Sequence, residues 1–161
     1  MIHWIFDIDD TIYQLRYRKQ FFDYRDIKYD PYLKFLIKKL PGPKHIFSNS
    51  MLVHTNKILT RQKMTDIFHN KKIYTRDRMG SIKPSIHAYK HVIKNIKPKK
   101  KDKLVFFDDR VENLWAAKRH GWVTVSISPN SRSKYPFVDL SFPNIHAALE
   151  FFLSIKNKNR R

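Results

Sequence analysis

The sequence predicts an α/β protein of three layers, with helices on both faces of a central, mostly parallel sheet. Three observations carry that prediction. Short apolar runs alternate along the chain with longer segments whose apolar residues recur at helical spacing. Three of the runs end in polar groups, at Asp7-Ile8-Asp9, Ser48-Asn49 and Asp108-Asp109. In a parallel sheet ligands collect beyond the carboxyl ends of the strands, so these residues fall where such a fold does its chemistry.

Taken in order, Ile2–Ile8 reads as an apolar strand ending in carboxylates. Pro31–Leu40 (PYLKFLIKKL) has apolar residues at helical spacing, and Pro41-Gly42-Pro43 stops it. His45–Phe47 is a short strand. Met51–Lys63 is expected to be a helix with Ser50 as its N-cap. Ile73–Tyr74 is a minimal strand, and Pro84–Ile96 a helix with proline in its first turn and Ser81 or Lys83 just outside. Leu104–Phe107 (LVFF) reads as a buried strand, Glu112–His120 as a helix closed by Gly121, and Trp122–Ile127 as another strand. Ile145–Ile155 is a terminal amphipathic helix. Residues 1–155 are expected to form one domain, followed by a basic tail over 156–161.

Of the 161 residues, 42% are hydrophobic and 14% aromatic, enough for a buried core and against disorder. The formal charge of +19 is uneven. Residues 1–30 are close to balanced, whereas 31–103 carry nineteen Lys/Arg against Asp66, Asp77 and Asp102. Such a field favours polyanions, although a lysine-rich proteome would give the same surface. With no cysteine there is no thiol nucleophile, disulfide or thiolate metal site. The first apolar run is too short for a secretory signal, and no run approaches the roughly 20 apolar residues of a membrane span. An intracellular, cytoplasmic protein is the expectation, with no membrane partner. The lysine-rich segment Lys97–Lys103 reads as a solvated loop, or alternatively as a polyanion or nuclear-import site.

Asp7, Asp9 and Asp10 place three carboxylates within four residues, which repel one another unless a turn exposes them or a divalent cation joins them. Four motifs stand in order: Asp7-x-Asp9-x-Thr11, a strand ending in Ser48, Lys83 ahead of a helix, and Asp108-Asp109 with Asn113 beyond. This set resembles the haloacid dehalogenase (HAD) superfamily of aspartate-nucleophile phosphatases, which have a Rossmann-type core. The wording FDIDDTIY, FSNS, KPS and FFDDRVEN looks most like its pyrimidine 5′-nucleotidase-like branch, over residues 2–152.

The resemblance implies a role for each residue. Asp7 would be the nucleophile, and Asp9 the general acid and then base, for which its pKa is expected to be raised. Mg²⁺ would be held by Asp7, the Asp9 backbone carbonyl and Asp108, with Asp109 in support. Ser48, the Asn49 backbone amide and Lys83 would bind the phosphoryl oxygens. Asn113 would orient Lys83 or the acidic pair, and Asp10 and Thr11 would hold the turn. The histidines show no metal-ligand spacing, and neither His54 nor His69 is read as catalytic.

That branch carries a helical cap between its first two motifs. Here residues 12–30 leave room only for a short β-hairpin flap, and the interval before Lys83 is equally short, so the chain is expected to be capless. Capless members of the superfamily tend to act on macromolecules or to oligomerise over their sites, so a homo-oligomer is one way of closing this one. Tyr13, Arg16 and Arg18 lie in an aromatic and basic stretch that would suit nucleic acid, while its phenylalanines would equally suit the core. Arg110 would contact substrate or pair with Glu112. The expected function is a Mg²⁺-dependent phosphomonoesterase acting through an aspartyl-phosphate on a nucleotide or a nucleic-acid terminal phosphate. The alternatives are a protein phosphatase, or a non-catalytic nucleic-acid-binding protein on the same fold.

Overall fold

In the computed structural model, residues 1–14, 23–130 and 135–158 are described, without the side chains of 156–158. Six strands form the sheet: β1 (Ile2–Phe6), β2 (Lys44–Phe47), β3 (Ile73–Tyr74), β4 (Lys103–Asp108), β5 (Val123–Ile127) and β6 (Leu140–Phe142). They lie in the order β3-β2-β1-β4-β5-β6, and every pair is parallel. The chain starts in the middle, works outward to one edge, then returns to the other side of β1. The strand order therefore reverses between β1 and β4, where ligand sites of such sheets form.

The helices are α1 (Pro31–Lys39), α2 (Leu52–Arg61), α3 (Arg76–Met79), α4 (Ile86–Ile96), α5 (Val111–Arg119) and α6 (Ile145–Lys158). Strand alternation divides the core between the two faces. Trp4, Phe6, Ile46, Val105 and Phe107 pack with Leu36 and Ile37 of α1, Ile58 of α2 and Ala148 and Leu149 of α6. Ile5, Phe47, Leu104 and Phe106 point the other way, to Tyr89 and Val92 of α4 and Leu114 and Ala117 of α5. Between α1 and β2, Gly42 has φ +90°, and a Cβ there would lie 2.4 Å from the Ile2 carbonyl oxygen, so only glycine passes this close to β1.

Several boundaries differ from the expected ones for local reasons. Ser50 does not cap α2: its hydroxyl goes to Asp9, and Asp77 of α3 accepts the Leu52 N–H instead, at 3.0 Å. Helix α4 begins at Ile86 with Ser85 as its cap, because the backbone at Lys83 is committed to the Asn49 side chain. Helix α6 runs past Ile155 to Lys158, so the first residues of the expected tail are helical. Residues 15–22 of the expected β-hairpin, with Arg16 and Arg18, lie outside the described residues. Of the part described, Tyr24–Asp26 is a single 3₁₀ turn rather than a strand, because Asp23 accepts the Arg25 N–H at 2.8 Å and caps it. No helical cap is inserted among the described residues, and no described helix is long and apolar enough to cross a membrane.

The Lys97–Lys103 loop sits at the amino ends of the strands, away from Asp7. There Asp102 binds the terminal ammonium at 2.7 Å and the Lys99 N–H at 2.8 Å. Beside it His3 and His45 are buried 3.2 Å apart, and burial holds His45 down at about 3 and so uncharged at neutral pH.

Trp4 is the largest fully packed side chain of the core. It stands against Phe107 and Phe152 and donates to the Pro41 carbonyl at 2.6 Å. Trp4→Ala is expected to lower the unfolding free energy by about 3–5 kcal/mol, read by chemical denaturation. A loss below about 1 kcal/mol would mean that the sheet is not packed as described.

Candidate active site

Asp7 and Asp108 follow the last apolar residues of adjacent strands, and the ladder carries on through them, the Asp7 N–H donating to the Phe107 carbonyl at 2.9 Å. This register sets two carboxylates side by side at the point where strand order reverses. Lys83 reaches them from the loop before α4. Its buried ammonium donates to Asp7 Oδ1 at 2.7 Å, to Asp108 Oδ2 at 2.7 Å and to the Phe47 carbonyl at 2.8 Å. The rings of Phe47 and Phe106 lie 5.1 and 5.2 Å away. All three N–H donors are thus used, and a substrate oxygen would reach Lys83 only by displacing one acceptor. Burial alone would depress the Lys83 pKa, but Asp108 and Asp7 outweigh it and hold it above the ordinary lysine value.

The lysine is aimed by Asn49. The Asn49 side chain accepts the Lys83 N–H at 2.7 Å and donates to the Lys83 carbonyl at 2.9 Å. Asp108 is held as firmly. Asn113 donates to both its oxygens, at 3.0 and 3.1 Å, and the Arg110 backbone N–H adds a bond at 2.8 Å. The hydroxyl of Tyr89 in turn fixes the Asn113 carbonyl at 2.7 Å. The side-chain bonds of Asn113 go to Asp108 and not to Lys83. The Arg110 side chain is exposed and lies 3.7 Å from Glu112. Ser48 is fully buried and its Oγ accepts the Ser50 N–H at 3.1 Å. Thr11 is buried within the turn after Asp7, where the Ile12 N–H returns to the Ile8 carbonyl at 3.0 Å and Asp10 takes φ +56°.

Asp9 stands apart from this ion cluster. Its carboxylate accepts hydrogen bonds from the hydroxyls of Tyr13 and Ser50, and His54 Nε2 lies 2.9 Å from Oδ1. The Tyr24 hydroxyl lies 2.8 Å from His54 Nδ1, so a single tautomer, with Tyr24 donating to Nδ1 and Nε2–H donating to Asp9, satisfies both contacts. Burial pushes the Asp9 carboxyl up, but the bonds from His54, Ser50 and Tyr13 outweigh it and leave it below the ordinary value. The expected raised pKa is therefore corrected: an extended dipeptide says nothing of three donors arriving from elsewhere. Tyr13, expected as a substrate contact, is buried with its hydroxyl on Asp9. Sequence reasoning missed His54 and Ser50. The available signal was position: both follow the carboxyl end of β2, the same end of the sheet as Asp9.

Asp7, Asp108 and Asp109 each bring one oxygen within 4.8 Å of the others. Three carboxylates face one ammonium, and the imbalance shows in their proton affinity. Burial pushes Asp109 up to about 6, with Asp108 adding to the effect. Burial likewise pushes Asp7 up to about 8, Lys83 opposing and Asp108 reinforcing it. An all-oxygen donor set with uncompensated negative charge fits a hard divalent cation of the Mg²⁺ type. The group brings together the expected carboxylate ligands Asp7 and Asp108 with Asp109, the residue expected to support them.

No protein-family model and no curated protein matches the chain. Solved structures do match in fold. A HAD phosphatase from Thermococcus onnurineus superposes with a TM-score of 0.58 at 18% identity, over 74% of this chain and 54% of that one. A HAD hydrolase from Bacillus subtilis, bound to magnesium, gives 0.63 at 16% identity over 73% and 53%. L-2-haloacid dehalogenase from Xanthobacter autotrophicus gives 0.64 at 15% identity over 80% and 62%. The chain thus spans between half and two thirds of the length of each. Its own fold is that of the haloacid dehalogenase-type proteins.

Proposed function

We propose that the protein is a Mg²⁺-dependent phosphomonoesterase that works through an aspartyl-phosphate on Asp7, with a nucleotide or a nucleic-acid terminal phosphate as substrate. The observation that carries this reading is the buried Lys83 joining Asp7 and Asp108 while Asp9 stands two residues away in a separate set of donors. The solved structures of this fold include both phosphatases and dehalogenases, so fold alone does not choose between them. The acidic cluster favours phosphoryl transfer, because a phosphate dianion and a carboxylate nucleophile need a shared cation.

Lys83 holds Asp7 by Oδ1, which leaves Oδ2 as the attacking oxygen. Attack at phosphorus breaks the ester P–O bond and forms the Asp7 acyl phosphate. Mg²⁺, held by Asp7, Asp108 and Asp109, would screen the two anions as they meet. Ser48 and the Asn49 backbone amide would bind the transferring oxygens. Asp9, kept ionised by its donors, starts as a base; once substrate has displaced a donor its proton affinity rises, it takes a proton from solvent, and it passes that proton to the leaving oxygen. In the second step Asp9 takes a proton from water as it attacks phosphorus, releasing inorganic phosphate and restoring Asp7. The substrate class is favoured by the excess of Lys and Arg over residues 31–103.

Phosphate release from p-nitrophenyl phosphate, with and without Mg²⁺, tests the reading. Asp7→Asn is expected to abolish turnover, and Asp9→Asn to lower kcat by about 10²–10⁴. Full activity in Asp7→Asn, or in metal-free protein, would exclude the mechanism.

A second test is thermodynamic. A carboxyl whose folded pKa exceeds its unfolded value binds more protons when folded, so its stability contribution is lost as pH rises. For Asp109 and Asp7 that loss runs from about pH 4 through about 6 to about 8. Mg²⁺ at about a hundred times its Kd is expected to raise Tm by roughly 5–10 °C at pH 8 and scarcely at pH 4. An equal shift at both pH values would place the cation elsewhere.

A further inference from the structure

A groove of about 620 Å³ opens along the outer face of α2, between Tyr24 of the 3₁₀ turn and Asp77 of α3. Its volume is in the range that encloses small-molecule ligands. Leu52 and Val53 supply apolar lining, and Lys57 and Arg61, one turn apart, supply the charge. Both cations are exposed, and neither forms an ion pair among the described residues. Lys57 lies 4.8 Å over the Tyr24 ring, and Arg61 donates through Nε to the Tyr24 carbonyl at 2.9 Å, which leaves its terminal nitrogens for a ligand. Asp77, the acid on the wall, is occupied by the Leu52 N–H.

The groove is joined to the candidate active site by one side chain. Tyr24 lines it with its ring, while the Tyr24 hydroxyl contacts His54, which contacts Asp9. The chain of contacts that starts at the groove wall thus ends at Asp9, the group proposed to serve the leaving oxygen. Apolar and aromatic lining beside two cations suits a nucleoside with an adjoining phosphodiester.

We propose that this groove binds the nucleotide segment next to the terminal phosphate, with Lys57 and Arg61 on the phosphodiester and Tyr24, Leu52 and Val53 against the nucleoside. As a leaving-group subsite this rests on the phosphatase reading; as a binding site it is testable without it.

The experiment measures a fluorescein-labelled oligothymidylate carrying a terminal phosphate, titrated with Asp7→Asn protein by anisotropy, with and without Lys57→Ala and Arg61→Gln together. The double substitution is expected to weaken binding at least about tenfold. It should also reduce the slope of log Kd against log salt by about 1.4, since two phosphates of the single strand are no longer neutralised. Unchanged oligonucleotide affinity and salt slope would overturn the proposal, as would weakening of an acidic phosphopeptide with none of the oligonucleotide. If p-nitrophenyl phosphate is inert but oligonucleotide binding still depends on Lys57 and Arg61, the groove stands and the hydrolytic reading falls.

Discussion

The structure turns on a buried ammonium between two buried carboxylates. Taking Lys83, Asp7 and Asp108 out of water carries a desolvation penalty of several kcal/mol for each ion, repaid only where geometry is good and every remaining donor and acceptor has a partner. Here the ammonium has three acceptors, Asp108 has its bonds from Asn113 and the Arg110 N–H, and Asn49 clasps the Lys83 backbone from both sides. The neighbouring elements follow from those demands. Strands β1 and β4 must be adjacent and in register, the chain before α4 must stay out of the helix, and Tyr89 must give its hydroxyl to the Asn113 carbonyl.

Two carboxylates two residues apart are thereby driven in opposite directions. Asp7 lies in the dry end of the sheet among like charges, and its proton affinity rises; Asp9 is partly buried too but is ringed by donors, and its affinity falls. Separation of this kind is how one small site obtains groups with different roles from chemically identical side chains. His54 is central to it, because the contact with Tyr24 at one ring nitrogen selects the proton that the other nitrogen presents to Asp9.

The same histidine ties the acid site to the surface. Tyr24 belongs both to the donor network of Asp9 and to the wall of the α2 groove. The positive charge is greatest over residues 31–103, which include α2, while the ionisable groups of the candidate centre are mainly acidic.

What the sequence determined by itself is five of the six strands, their parallel sense and the carboxyl-end positions of Asp7, Ser48 and Asp108; the edge strand Leu140–Phe142 is not among the elements that its apolar pattern predicts. Those rest on alternation, period and turn residues, which are written in neighbouring positions. The strand Ile73–Tyr74 is found where two apolar residues marked it, and the helix before Gly121 ends one residue from its expected close. Lys83 and Asn113 were singled out by the family resemblance and not by periodicity. Only the tertiary structure decided which atoms these groups bind. Asn49 is drawn to the backbone 34 residues away, and Ser50 and His54 to a carboxylate 41 and 45 residues away. A histidine on the first turn of a helix reads the same whichever side chain stands opposite, and a serine before a helix reads as its cap. The proton affinity of Asp9 depends on such long-range partners, which leave no periodic or local mark, so its direction could be found only by folding the chain.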